Sequence, residues 1–235
     1  MVEQFAKGED VYSIFASKIY NRPISKADPV ERFVGKTCIL GLGYGTGATK
    51  LQHTLATAQP VNKDLSIEEC QEIVKLYRDT NDMIPQLWSE ADRAIRSMYH
   101  GEKSHYFGQY KCVSITPEGI LLPNGLYIRY PDLSLEQGKF TYKSRKGPVS
   151  LWGGVIVENV VQALARIVVG KQMLKIAERY KIACTVHDSA VIVVHKSEID
   201  EALKYVNECM STPPDWGQRL PIACEAKYAE AYGQC

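Results

Sequence analysis

Arg32, Lys36, Leu40 and Tyr44 stand four residues apart, so a helix through them would carry two cations, an apolar side chain and an aromatic ring along one gently drifting stripe. Two fixed cations can neutralise a triphosphate and its leaving pyrophosphate, while the apolar and aromatic end lies against a base. The same stripe also suits a solvated amphipathic helix whose basic side chains face water. A second candidate is Asp188, in the triplet His187-Asp188-Ser189 between the apolar runs Ile182 to Val186 and Ala190 to Val194. An aspartate in a tight turn between strands is costly unless it meets a cation or strong donors, which makes it a candidate metal ligand. Ordinary turn chemistry, in which Asp and Ser bond to nearby backbone, is the alternative. His187 alone is equally compatible with a satisfied structural imidazole.

Two further runs carry weaker signals. Lys139, Lys143, Arg145 and Lys146 alternate with Phe140 and Tyr142 and could track a phosphate backbone or simply be solvated. Gly41-Leu-Gly43-Tyr-Gly45-Thr-Gly47 satisfies neither G-x-G-x-x-G nor G-x-x-x-x-G-K-[ST], and it follows a helical pattern rather than a strand, so Rossmann and P-loop sites are excluded. A glycine after Tyr44 would instead let the backbone approach a flat partner such as a stacked base.

The elements that must position these residues follow from periodicity. Val11, Ile14, Phe15 and Ile19 recur at helical spacing before Arg22-Pro23, which predicts a short helix over 10–20. Asp28-Pro29 supplies a cap and a first-turn proline for a second helix running toward the glycines. Ser66-x-x-Glu69 is a capping box for a helix over 66–78, and 84–99 continues in the same style. Short β-type runs follow at 110–116, 126–130 and 139–143, punctuated by prolines and glycines. A long helix is predicted over 155–180, then a hairpin centred on 187–189, a helix over 197–209, and a last strand at 220–225.

At 235 residues the chain is large enough for two coupled subdomains. With 45% hydrophobic and 23% charged residues, and no unbroken apolar run near the roughly 18 residues of a membrane span, a membrane protein is not expected. The first residues lack a basic-then-apolar leader, so a cytoplasmic location is expected. Seven cysteines never pair as C-x-x-C and suggest reduced, packed thiols rather than a disulfide framework or a zinc site. The net charge of +1 is low for a nucleic-acid binder, so any basic surface must be local.

Taken in order and spacing, these segments resemble a known family. Arg32-Phe-Val-Gly-Lys36-Thr-Cys-Ile-Leu40-Gly-Leu-Gly-Tyr44-Gly45 is similar to motif B of the family A DNA polymerases, R-x3-K-x7-Y-G, on the fingers helix that closes over the incoming nucleotide. Val186-His187-Asp188-Ser189 resembles motif C, the palm hairpin whose aspartate binds the catalytic metals. Phe5-Ala-x-Gly8-x-Asp10 and Glu158-Asn159-Val-Val-Gln162-Ala163 match segments upstream of the fingers helix and on the palm helix that touches primer-template DNA.

The resemblance implies an α+β fold, with a helical fingers subdomain over 1–150 and the C-terminal part of an antiparallel palm over 151–235. It implies nucleotide-binding roles for Tyr12, Arg32, Lys36, Leu40 and Tyr44, with Lys36 and Asp188 catalytic, and DNA contacts from Gly45, Gln162 and His187. It implies Mg2+ as cofactor, with Asp188 as ligand, and dNTP and primer-template DNA as partners. Leu40 stands where an aromatic is usual and Ser189 where the bacterial enzymes have an acid, as in the phage and prophage branch. Two-metal phosphoryl transfer also needs a carboxylate on the far side of the bridging ions, and no D-Y-S-x-x-E-like sequence occurs here. The expectation is therefore a fragment, arising by truncation, gene splitting or engineering, that is inactive alone and works with an N-terminal polymerase piece. The alternatives are a non-catalytic DNA- or nucleotide-binding remnant and an unrelated nucleotide-binding protein.

Overall fold

The computed structural model describes residues 1–234 and divides into two compact units: Met1–Leu121 with Tyr127–Val160, and Leu122–Leu126 with the chain from Val161 onward. The first begins with a short helix α1 (Val2–Ala6), then α2 (Val11–Tyr20), α3 (Pro29–Leu42), α4 (Ala48–Thr57), α5 (Ile67–Thr80) and α6 (Met83–His100). Local chemistry sets these boundaries. Asp10 caps α2 by accepting from the Ser13 backbone N–H, Pro29 opens α3, and the predicted Ser66/Glu69 capping box opens α5 with both of its hydrogen bonds present. Gly101, at φ 64°, closes α6.

Phe15, Val34, Cys38, Leu42, Leu51, Leu55, Cys70, Ile73, Val74 and Tyr77 form one buried cluster drawn from α2 to α5. Phe15 meets Tyr77 edge-on, with ring centroids 5.5 Å apart. Helix α4 has no capping motif and shows only Leu51 and Leu55 on its buried face, so its packing against α3 and α5 is what declares it. Beyond α6 the chain forms an antiparallel meander, β1 (His105–Phe107), β2 (Val113–Thr116), β3 (Gly119–Leu121) and β4 (Tyr127–Ile128), then a three-stranded sheet, β5 (Ser134–Glu136), β6 (Lys139–Ser144) and β7 (Gly147–Leu151).

Helix α7 (Gly153–Ala177) gives its first two turns to the first unit and the rest to the second. It is long and apolar enough, by length and composition, to cross a membrane. Its Ile156, Val157, Val160, Ile167 and Ile176 are buried, Val161 and Leu174 are exposed, and it carries Glu158, Arg166, Lys171 and Lys175. In the second unit β8 (Ile182–Val186) pairs with β9 (Ser189–Ile192), and α8 (Ile199–Met210) follows. Gln172 of α7 is buried and its Nε2 donates to the carbonyls of Met210 (2.7 Å) and Thr212 (3.1 Å), tying α7 to the end of α8.

The expected strand at 220–225 is absent among the described residues. Pro221 has no N–H to give a ladder, and the Ile222 N–H bonds to the Leu220 carbonyl (2.9 Å) in a local turn.

Candidate nucleotide and nucleic-acid site

Helices α2 and α3 lie against each other because residue 35 is glycine: a Cβ there would sit 2.2 Å from the Tyr12 carbonyl oxygen. That close approach brings three predicted features together. The Arg32 guanidinium lies over the Tyr12 ring, 5.4 Å from its centroid, and is clamped by Asp10 through Nε to Oδ2 (2.7 Å) and Nη2 to Oδ1 (3.3 Å). The Arg32 guanidinium, followed by the Ser13 groups, holds the Asp10 carboxyl down at about 2 despite partial burial. Arg32 is in turn pushed above its ordinary value, chiefly by the Asp10 hydrogen bond. Of the two cations, then, Arg32 is fixed and already carries a counter-charge.

Lys36, one turn on, is exposed, and Leu40 after it leaves 53% of its surface open. Arg32, Lys36 and Leu40 therefore make a three-member stripe on α3. Tyr44, the expected fourth member, lies beyond the helix: α3 ends at Leu42, and the Tyr44 and Gly45 amides bond back to Gly41 and Leu42. Tyr44 is half-buried, and its hydroxyl is pushed up by burial and, less, by the charge of Glu158 at the start of α7. Gly45 adopts φ +81°, a conformation natural to glycine. A flat partner does lie against it, but that partner is protein: a Cβ on Gly45 would be 2.0 Å from Cη2 of Trp152.

Trp152 and its surroundings escaped the sequence reading. Trp88 of α6 meets the Trp152 ring edge-on (5.9 Å, 71°) and donates Nε1–H to the Gly43 carbonyl (3.1 Å). The Gly153 N–H donates to Asp92 Oδ1 (2.6 Å). The available signal was the glycine pair following Trp152; Asp10, two residues before Tyr12, was visible only as the start of a predicted helix and the end of the Phe5–Asp10 match. Asn159 donates to the hydroxyl of buried Tyr130 (3.1 Å), whose pKa burial raises to about 12.

The basic strand resolves differently from its sequence pattern. On β6 the aromatics turn to one side and pack internally, Phe140 against Tyr99 (5.6 Å) and Tyr142 against Tyr130 (5.1 Å), while Lys139 and Lys143 are exposed and Lys143 pairs with Asp132 (3.7 Å). The alternation is a strand's two faces, with no aromatic left to interleave between bases.

The second unit carries the remaining predicted residues. Gln162 is exposed on α7. The β8–β9 register pairs Val186 with Ser189, so His187 and Asp188 form a two-residue turn, with His187 at φ 53° and the Ser189 hydroxyl donating to the Val186 carbonyl (2.8 Å). Both side chains are exposed at this tip. The two flanking strands are themselves exposed or half-buried and the aspartate between them is solvated, so the desolvation argument for a bound cation does not apply to it. No three His, Cys, Asp or Glu side chains cluster around a possible metal position among the described residues. Asp188 is thus one carboxylate where a magnesium centre needs several hard oxygen ligands, so this chain would hold the ion only with a partner's carboxylate beside Asp188.

No protein-family model matches the chain. Across a 251-residue alignment it is 29% identical to the DNA polymerase of Bacillus phage SP02, covering 98% of this chain and 37% of that protein. In fold it is similar to the POL domain of Pol1 from M. smegmatis, solved in complex with a DNA primer-template and dNTP. The TM-score is 0.64 at 21% identity, with 96% of this chain and 34% of that one covered. The chain thus spans about a third of the length of the relatives it matches. Its mixture of helices and antiparallel sheets matches the fold of that POL domain, and the phage protein that aligns with nearly the whole chain is a DNA polymerase.

Proposed function

We propose that this chain is the fingers-and-palm part of a family A DNA polymerase, serving template-directed addition of deoxynucleotides to a primer 3′ end. The observation that carries this reading is the α3 stripe of clamped Arg32, open Lys36 and open Leu40 ending in Tyr44-Gly45, in a chain alignable over 98% of its length to a DNA polymerase. Fingers extend over 1–150 and the partial palm over 151–235.

In this reading Arg32 presents its unclamped guanidinium edge to the triphosphate and Lys36 supplies a mobile second cation. Together they offset the charge that develops on the pyrophosphate as it leaves. Tyr12 keeps the Arg32 plane oriented, Leu40 offers an apolar surface to the nucleotide, and Tyr44 with Gly45 borders the templating base. Gln162 and His187 contact the primer-template. Asp188 supplies one carboxylate toward Mg2+, whose chemistry would be activation of the primer hydroxyl and stabilisation of the leaving oxygen. A second carboxylate comes from an N-terminal polymerase segment, in the same protein or supplied in trans. The protein works in the interior of a bacterial cell or phage-infected host.

The test is complementation. Mixed with a family A segment that carries the missing carboxylate, the chain should extend a primer. Asp188→Asn should abolish extension, and Arg32→Ala or Lys36→Ala should weaken triphosphate binding. Extension that survives Asp188→Asn overturns the assignment. The solvated, solitary position of Asp188 favours one second reading, a non-catalytic remnant that keeps DNA or nucleotide affinity. Salt-dependent DNA binding without extension under any complementation would establish that reading.

A further inference from the structure

We propose that Trp152 is a rigid stacking platform for an unpaired nucleobase of a DNA strand, beside the position that Tyr44 and Gly45 border. This rests on the polymerase reading. Trp152 forms the link between β7 and α7, and its flanks are locked: Leu151 is buried, and Gly153 is held by Asp92. Gly153 also lies so close to Trp88 that a Cβ would fall 2.0 Å from the Trp88 carbonyl oxygen. The six-membered edge of the indole enters a slot between two further glycines, since a Cβ on Gly45 or Gly154 would lie 2.0 Å or 2.2 Å from Cη2. Trp88 abuts the ring edge-on and is itself tied to the Gly43 carbonyl. The end of α3, helix α6 and the start of α7 therefore all position one side chain.

Yet 38% of Trp152 remains exposed. A tryptophan serving only to fill the slot would leave far less of its large apolar surface in solvent. This one is held along one edge and still leaves over a third of its surface open, so its ordering cost is met before any ligand arrives. The ligand class follows from the neighbour it touches. Trp152 rests on Gly45, three residues past the end of the helix that carries Arg32 and Lys36. An aromatic surface beside phosphate-binding cations is the usual composition of a single-strand binding surface. Every base has a π-face, so the platform tolerates any sequence. It also involves no charge, which suits a chain whose net charge is only +1.

The test uses the full chain with a fluorescent-labelled single-stranded oligodeoxynucleotide and a primer-template with a 5′ overhang, titrated at several salt concentrations. Trp152→Leu should lose about 5- to 100-fold in affinity for both, the range of one lost base stack, while Trp152→Phe stays close to wild type. The slope of log affinity against log salt should be the same in all three proteins, because no phosphate contact has been removed, and triphosphate binding should be unchanged. Equal melting temperatures for the Phe and Leu variants exclude a merely structural effect. If wild type binds DNA and Trp152→Leu binds within twofold of it, or if Phe and Leu lose equally, the platform is wrong and the polymerase reading stands. If wild type binds no DNA at any salt, both fall together.

Discussion

Asp10→Asn is the sharpest perturbation of the nucleotide-facing unit, because it separates the two tasks of one carboxylate. Asp10 caps α2, accepting from the Ser13 N–H (3.3 Å) and hydroxyl (2.8 Å), and it clamps one edge of the Arg32 guanidinium of α3 through two hydrogen bonds. Asparagine caps a helix about as well as aspartate, so the substitution keeps the first task and removes the charge needed for the second. The Arg32 clamp first, and the Ser13 bonds after it, lower the Asp10 pKa from 3.8 to about 2, a difference equivalent to ~2.4 kcal/mol of which the clamp is the largest part. The two side chains are 24% and 30% exposed, so solvent screening reduces the expected contribution to ~1–2 kcal/mol. The pKa is depressed in the folded state, so this stability is fully present above the ordinary carboxylate value near 3.8 and is lost as pH falls through about 2. Urea denaturation of wild type and Asp10→Asn at pH 7 should differ by that amount, or by ~2–8 °C in melting temperature. The gap should narrow between pH 4 and pH 2. A gap below ~0.3 kcal/mol at neutral pH, or one of constant size down to pH 2, would refute the clamp as a source of stability.

Three other outcomes follow from packing and burial. Gly35→Ala forces a Cβ to within 2.2 Å of the Tyr12 backbone oxygen, so α2 and α3 must separate. The cost should be ~2 kcal/mol or more in chemical denaturation, with weakened triphosphate binding as Arg32 loses Tyr12 and Asp10. Gln172→Leu leaves the Met210 and Thr212 carbonyls without their donor and should cost ~1–3 kcal/mol, whereas Gln172→Ala with a measured stability near wild type would deny that link. Burial pushes the Cys38 thiol up to about 12, so Ellman's reagent at pH 8 should modify exposed Cys184 promptly and reach Cys38 only on unfolding. Rapid native modification traced to Cys38 by mass spectrometry would contradict its placement in the core.

What the sequence determined by itself is what nearest neighbours along the chain determine. Helices α2, α3, α5, α6 and α8 announce themselves through apolar spacing, helped by the Asp28-Pro29 and Ser66/Glu69 signals. The β8–β9 turn announces itself through two β-branched runs around a polar triplet. The order of the motifs was also enough to suggest a polymerase, and a phage DNA polymerase aligns over 98% of the chain. What only the tertiary structure decided involves partners far apart in sequence. The stripe on α3 showed two cations, but only the α2–α3 contact at Gly35 reveals that Arg32 is clamped by Asp10 and Lys36 is not. The glycine at 45 foretold a flat neighbour, and its identity as Trp152, 107 positions away by number, follows from where α7 begins. Asp188 in a turn looked the same whether buried or solvated, because burial belongs to the surroundings of a residue and its exposure at the tip could be read only once β8 and β9 were paired. Periodicity encodes which face of an element seeks cover; which other element covers it is settled by shape, and here by the few glycines that let two backbones or a ring come close.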